Sequence, residues 1–258
     1  MSLLEVKGLT MRFGGLLALT DFNLNLDKGE LVGLIGPNGA GKTTTFNMLT
    51  GRLKPTEGAM VFDGSDIGGK KPNQINRLGI GRTFQNIHLL TEMSALENVM
   101  MSFHGHLKSP FWAPILGLPG YRREERNMLK ESYDLLRRVG LEDLAQTEAG
   151  SLAYGQQRRL EIARALGTHP KLLLLDEPAA GMNPHETNAL MELILTIRRD
   201  FDLTVLLIEH DMKFVMGLCE RLVVLDNGAT IARGLPSEIQ QNKKVITAYL
   251  GERRSAGR

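Results

Sequence analysis

Three groups of residues in this chain have the types and spacing that chemistry on a phosphate would need. The first is Gly36-Pro37-Asn38-Gly39-Ala40-Gly41-Lys42-Thr43, where glycines recur and a lysine and a hydroxyl close the run. Glycine lets successive backbone N–H groups turn inward on an anion, a following helix offers the positive end of its dipole, Lys42 adds a point charge and Thr43 can ligate Mg²⁺. The expected ligand is a nucleoside triphosphate, and a plain glycine-rich turn before a helix is the alternative. The second group is Asp176-Glu177, two adjacent carboxylates behind an apolar run. Such acids are costly there unless a metal or a proton transfer accounts for them, with Asp176 suited to water-mediated Mg²⁺ binding and Glu177 to polarising an attacking water. The third is single and polar: Gln85 and His210, each just past an apolar run.

Positioning these groups requires parallel strands that end together. Residues 30–35 and 171–175 are short runs, apolar after the charged first residue, and 203–208 is apolar apart from Thr204; such runs read as strands buried on both faces of a sheet. The first leads into residues 36–43 and then a helix opening at Thr44, which is the strand–loop–helix order a phosphate loop needs. The third ends in Glu209-His210-Asp211, which brings His210 to the edge that carries Asp176 and Glu177. Residues 80–84 form a further strand, ending at Gln85, and ligands of open α/β sheets are met at such strand ends.

Residues 4–7 and 22–26 alternate apolar with polar and read as half-buried, antiparallel strands. Between them lies Arg12-Phe13-Gly14-Gly15. Taken alone, Phe13 reads as core, although an exposed ring could stack on a base. Residues 59–62 give another strand, with Asp63-Gly64 as its turn. From residue 86 to about 159 the pattern is helical: Ser94 with Glu97 three residues on is a capping box, residues 122–139 form a charged helix ended by Gly140, and residues 151–159 open another at Gly155. A Pro- and Gly-broken insert, residues 109–120, lies among them. Asn227-Gly228 closes a hairpin, and residues 236–251 end the chain in a helical pattern.

With 258 residues, 42% of them hydrophobic and 23% charged, the composition is that of a globular chain. A formal net charge of +2, with both signs interspersed, gives no footprint for nucleic acid. One cysteine, Cys219, excludes an internal disulfide framework and reads as packing. The first residues lack the basic-then-apolar order of a secretory signal, and no apolar stretch has bilayer length. Five of the six histidines, His88, His104, His106, His169 and His185, read as surface or loop residues with no metal-site spacing.

Taken together and in this order, the motifs resemble those of the ATP-binding subunits of ABC transporters over essentially the whole chain. Residues 36–43 match the Walker A loop, Gln85 the Q-loop glutamine, Leu152-Ala153-Tyr154-Gly155-Gln156 the signature, residues 172–176 the Walker B strand, Glu177 the catalytic glutamate, Ala180-Gly181-Met182-Asn183 the D-loop and His210 the switch histidine. The resemblance implies a P-loop (RecA-like) α/β fold with a mainly parallel sheet, an antiparallel β subdomain and an inserted helical subdomain. The corresponding division is 1–85 with 160–235 as nucleotide-binding core, 86–159 as helical signature region and 236–258 as C-terminal extension.

It further implies ATP and Mg²⁺ as ligands. Phe13 would lie against adenine, which reverses its reading as core. Gly36, Pro37, Asn38, Gly39, Ala40, Gly41, Lys42, Thr43 and Thr44 would hold phosphates, and Thr43, Gln85 and Asp176 the metal. Glu177, His210 and Lys42 would be catalytic. Implied partners are a second ATP-binding subunit, two transmembrane permease subunits and, indirectly, a substrate-binding protein, with no nucleic acid, at the cytoplasmic face of the inner membrane. Within the family the chain looks most like the longer-insert ATP-binding subunit of the branched-chain amino-acid importer, on the strength of residues 103–121, 152–156 and 245–251. Two departures stand out: Ala153 and Tyr154 replace the usual Ser and Gly, and Asn183 stands where many members have Asp. In a head-to-tail heterodimer the missing hydroxyl would make two unequal ATP sites. An ABC-transporter subunit for another cargo, a soluble ABC ATPase acting on DNA or ribosomes and a non-hydrolytic nucleotide-binding scaffold are the other readings.

Overall fold

A computed structural model describes residues 2–106 and 119–255, so most of the insert and the last three residues lie outside it. The chain opens with two twelve-residue strands, β1 (Ser2–Phe13) and β2 (Leu16–Asp27), followed by β3 (Leu31–Ile35), helix α1 (Lys42–Leu49), β4 (Glu57–Phe62), the two-residue β5 (Ser65–Asp66), α2 (Pro72–Leu78) and β6 (Ile80–Arg82). Helices α3 (Ala95–Phe103), α4 (Pro119–Arg138) and α5 (Tyr154–Leu166) come next, with no strand between them among the described residues. Then β7 (Leu172–Asp176), α6 (Pro184–Asp200), β8 (Thr204–Ile208), α7 (Met212–Leu218), the hairpin β9 (Arg221–Asp226) and β10 (Ala229–Gly234), and helices α8 (Pro236–Gln241) and α9 (Lys243–Ser255) complete the described chain.

Two sheets form. The larger has the order β10-β9-β3-β8-β7-β6, parallel throughout except for β10. Every residue of β3, β7 and β8 is buried, which is why their sequences are apolar without alternation. The pleat divides each strand between two layers. Leu31, Leu173, Leu175, Val205, Leu207, Leu222 and Val224 join one cluster with the cores of α3 to α7, whereas Val32, Leu34, Leu172, Leu174, Leu206, Ile208, Val223 and Leu225 join another. The second layer is shared with α1 and with the antiparallel sheet β2-β1-β4-β5. Phe46, Met48 and Leu49 of α1, all fully buried, are the filling between the two sheets.

Local signals account for the boundaries. The Ser94 side chain accepts the Glu97 amide hydrogen, while the Glu97 carboxylate accepts that of Ser94, at 2.8 Å. Gly140, at φ +68°, ends α4, and Asn227 and Gly228 both take positive φ in the β9–β10 turn, the mirror-image turn that suits strand twist. The two short runs expected at residues 4–7 and 22–26 are parts of one long hairpin, because the strands continue outward to Gly14-Gly15. That extension carries Phe13 to the tip, where it is 45% exposed. Its residue-only reading as core is therefore corrected. Helix α1 starts at Lys42, two residues before the expected start, and β6 ends at Arg82, short of Gln85. On α4, Leu129 is exposed, and Met128, Leu135 and Leu136, with Val139 just past its end, carry the buried stripe. Among the described residues no helix is long and apolar enough to cross a membrane.

Candidate nucleotide site

Parallel pairing of β3 with β8, β8 with β7 and β7 with β6 collects the ends of four strands at one edge. Residues 36–43, 176–177, 209–211 and 83–85 all leave the sheet there. In the loop after β3, a Cβ on Gly36 would come 2.1 Å from the Leu225 carbonyl oxygen, and one on Gly41 2.8 Å from that of Ala18. Both glycines have positive φ, so the loop path is open only to residues without a side chain. The Lys42 ammonium, 6% exposed, donates to the carbonyls of Gly36 (2.6 Å) and Pro37 (2.8 Å). Thr43, Asn38 and Gly39 are exposed on the outer side of the loop, with Thr44 half-buried. No side chain caps the α1 N-terminus, and the N-terminus of a helix favours an anion.

Opposite the loop, the turn after β7 is pinned to β8: the Glu177 amide donates to the Ile208 carbonyl at 2.9 Å. Glu177 has φ +45°, a left-handed conformation that costs a non-glycine residue about 1–2 kcal/mol. Its carboxylate accepts from the Gln85 side-chain amide at 2.8 Å and lies 3.9 Å from His210 Nδ1. Three residues far apart in sequence are thus brought into one cluster, with the imidazole half-exposed.

Two charged residues that the sequence reading passed over shape the site. Arg82, 6% exposed at its side chain, donates to Asp176 Oδ2 at 2.8 Å, to Asn47 Oδ1 on α1 and to Thr50 Oγ1 at the α1 C-terminus. Burial pulls its pKa below the usual arginine value, against the opposing pull of Asp176; it remains a cation. Glu209, 1% exposed, accepts the amide hydrogens of Ala179 (3.0 Å), His210 (3.1 Å) and Asp211 (3.5 Å). Burial raises its pKa despite those amides. No motif flags either residue; the one signal available was a charge placed inside or directly at the end of an apolar strand.

Residues 152–156 stand apart from the loop. Ala153 is the N-cap of α5 and, lacking a hydroxyl, gives no side-chain cap; its own amide is taken by Gln156 Oε1 at 3.0 Å. Leu152 is buried and Tyr154 is 44% exposed. A Cβ on Gly155 would meet Glu186 Oε1 at 3.2 Å, and one on Gly181 would meet the Tyr154 ring at 3.4 Å, so the start of α5 lies against the 177–186 turn of its own chain. Asn183 caps α6, accepting from the amides of His185 and Glu186 at 3.0 Å each. An aspartate would cap no better, so that departure leaves the helix cap intact.

A family profile described as "ABC transporter" matches residues 19–180. The chain belongs to the ABC transporter family, a family of ATPases. A second profile, "Branched-chain amino acid ATP-binding cassette transporter", matches residues 229–254 of this ABC ATPase. It is 51% identical to the high-affinity branched-chain amino acid transport ATP-binding protein BraF of Pseudomonas aeruginosa and 50% identical to LivG of Escherichia coli K12. Each alignment spans 97% of this chain and 98% of the relative. Among solved structures, an ABC-transporter ATP-binding cassette in its ADP conformation superposes with a TM-score of 0.86 at 32% identity, covering 98% of this chain and all of that one. A dimeric cassette bound to ADP and phosphate superposes at 0.76 with 26% identity, covering 90% of this chain and 98% of its own.

The donors present suit the Mg²⁺ that such ATPases use. Thr43, Gln85 and Asp176 offer a hydroxyl, a side-chain amide and a carboxylate, and no cluster of three or more His, Cys, Asp or Glu that could hold a metal occurs among the described residues. A few oxygen donors, completed by phosphate and water, are what a hard, octahedral cation takes.

Proposed function

We propose that the chain is the ATP-hydrolysing subunit of an importer for branched-chain amino acids, working with a second ATP-binding subunit and two permease subunits at the cytoplasmic face of the inner membrane. A substrate-binding protein would deliver cargo to the permeases. The observation that carries the reading is the Gln85–Glu177–His210 cluster at the strand edge that also bears the Lys42 loop. A binding-only scaffold has no need of a carboxylate held in a strained backbone. Relatives over nearly the full length are named for branched-chain amino acid transport, and that supports the cargo.

In this reading the loop amides and Lys42 neutralise phosphate charge, and Phe13 stacks on the base from the hairpin tip. Thr43, Gln85 and Asp176 would hold Mg²⁺, whose bound charge offsets that of the β- and γ-phosphates. Glu177 orients the attacking water and takes its proton, and His210 reads the γ-phosphate. Gln85 reports to the helical region, residues 86–159, where the permease would dock. Residues 152–156 would face the nucleotide held by the partner subunit, and without a hydroxyl at Ala153 the two sites are unequal. The test is ATP-dependent uptake and phosphate release in the reconstituted transporter. Lys42→Ala abolishes both without unfolding the chain; Glu177→Gln and the matching change in the partner subunit give unequal losses. Full activity in Lys42→Ala would overturn the mechanism, and equal losses the asymmetry.

A further inference from the structure

Arg158 has no exposed surface, yet it lies on the second turn of a helix and directs its hydrogen bonds to residues outside the phosphate loop. Its guanidinium is divided between two parts of the chain. Nη1 donates to the Phe84 carbonyl at 2.6 Å and to Glu161 Oε2 at 2.8 Å; Nη2 donates to the Gln85 carbonyl at 2.8 Å and to the Tyr154 hydroxyl at 3.2 Å. Glu161, also buried, closes the ring of contacts by accepting the Phe84 amide hydrogen on Oε1 at 3.0 Å. The backbone at Phe84 is thus held on both its donor and its acceptor, and only by side chains of α5. The Phe84 ring in turn lies 5.0 Å from the guanidinium of Arg82, the partner of Asp176, and 4.5 Å from that of Arg52.

A buried Arg–Glu pair is a poor device for stability, since apolar residues of the same volume serve as well. Its advantage is geometric: a planar fork fixes four acceptors at once. We propose that Arg158 and Glu161 are positioning residues that clamp the Phe84–Gln85 turn to the first turn of α5, so that Gln85 and the Tyr154–Gly155 segment move as one body. The contacts run unbroken from Glu177 through the Gln85 side chain, the Gln85 carbonyl and Arg158 to Tyr154. This inference rests on the proposed function, in which Gln85 serves the chain's own nucleotide and residues 152–156 the partner's. The clamp then makes occupancy of one ATP site felt at the other.

The experiment is hydrogen–deuterium exchange on the full chain, with and without Mg²⁺ and a non-hydrolysable ATP analogue, beside a direct binding measurement with a fluorescent nucleotide. Two variants are compared with the parent. Arg158→Lys keeps a charge opposite Glu161 but cannot span both carbonyls, and the double variant Arg158→Gln/Glu161→Gln leaves neither charge orphaned. In the parent, nucleotide changes exchange at residues 84–86 and 153–157 together. In the variants, at parental affinity and with a cooperative melt, the change at 84–86 persists and that at 153–157 is lost. A folded variant that still transmits to 153–157 overturns the clamp, as does a parent that binds nucleotide without a change there. A parent that binds no nucleotide overturns the proposed function together with the clamp.

Discussion

Replacing Glu209 by Gln tests whether a buried carboxylate holds the Glu177 turn and the His210 turn together. The two oxygens of Glu209 have different clients: Oε1 takes the Ala179 amide hydrogen, and Oε2 takes those of His210 and Asp211. A glutamine of the same shape has one oxygen and one NH₂, so whichever way the amide is flipped, one edge sets donor against donor. The loss is a charge-assisted bond, about 1.5–3 kcal/mol, and an amide left without an acceptor, about 1–3 kcal/mol. Against this, the variant no longer buries a charge, the burden that raises the Glu209 pKa. A net loss of about 2 kcal/mol follows, which at a urea m-value of about 3 kcal/mol/M lowers the midpoint by about 0.7 M.

The pH dependence has a definite sign. A carboxyl with a raised folded-state pKa binds its proton more tightly in the native than in the unfolded state, so it adds stability below the unfolded value and loses it as pH rises through the folded value. The gap between parent and Glu209→Gln is therefore wider near pH 4.5 than at neutrality. Urea titrations at both pH values, with exchange rates for the Ala179 and His210 amides, check this. Equal midpoints and unchanged protection at both amides would refute the role assigned to Glu209.

Gly36→Ala places a methyl group 2.1 Å from a backbone carbonyl at φ +150°, and a stability loss of about 1–3 kcal/mol is expected from forcing that conformation; an unchanged urea midpoint would contradict the geometry. Ser94→Ala removes the N-cap of α3 and costs about 1 kcal/mol, whereas Ser94→Asp restores most of it, as read from the same titration. Burial pushes the Cys219 thiol up to about 12, with Glu209 and Glu220 adding to the effect. Iodoacetamide at pH 8 therefore labels it in urea and leaves it untouched in the native chain, an outcome that mass spectrometry reads directly.

The strands of the larger sheet were legible in the sequence because burial on both faces leaves a continuous apolar run, and the phosphate loop because only glycine tolerates Gly36 and Gly41 where they lie. Glu177 and His210 could be placed at one edge from strand order alone. Phe13 could not be placed from its own residue type: an aromatic beside two glycines fits a core or a hairpin tip, and the length of β1 decides between them. The roles of Arg82, Glu209 and the Arg158–Glu161 pair were not legible for another reason. Each has a partner distant in sequence, Asp176 for Arg82, the Ala179 amide for Glu209 and the carbonyls of Phe84 and Gln85 for Arg158, and local pattern carries no trace of such partners.

The left-handed backbone at Glu177 sets the direction in which this position drifts. Intrinsic preference at φ +45° favours glycine, then asparagine, so a change to either relaxes the backbone as it removes the carboxylate. Selection for hydrolysis is what opposes that slope. A descendant released from turning over ATP would shed this residue early and become more stable in doing so, which makes position 177 a marker of whether a lineage still runs the reaction.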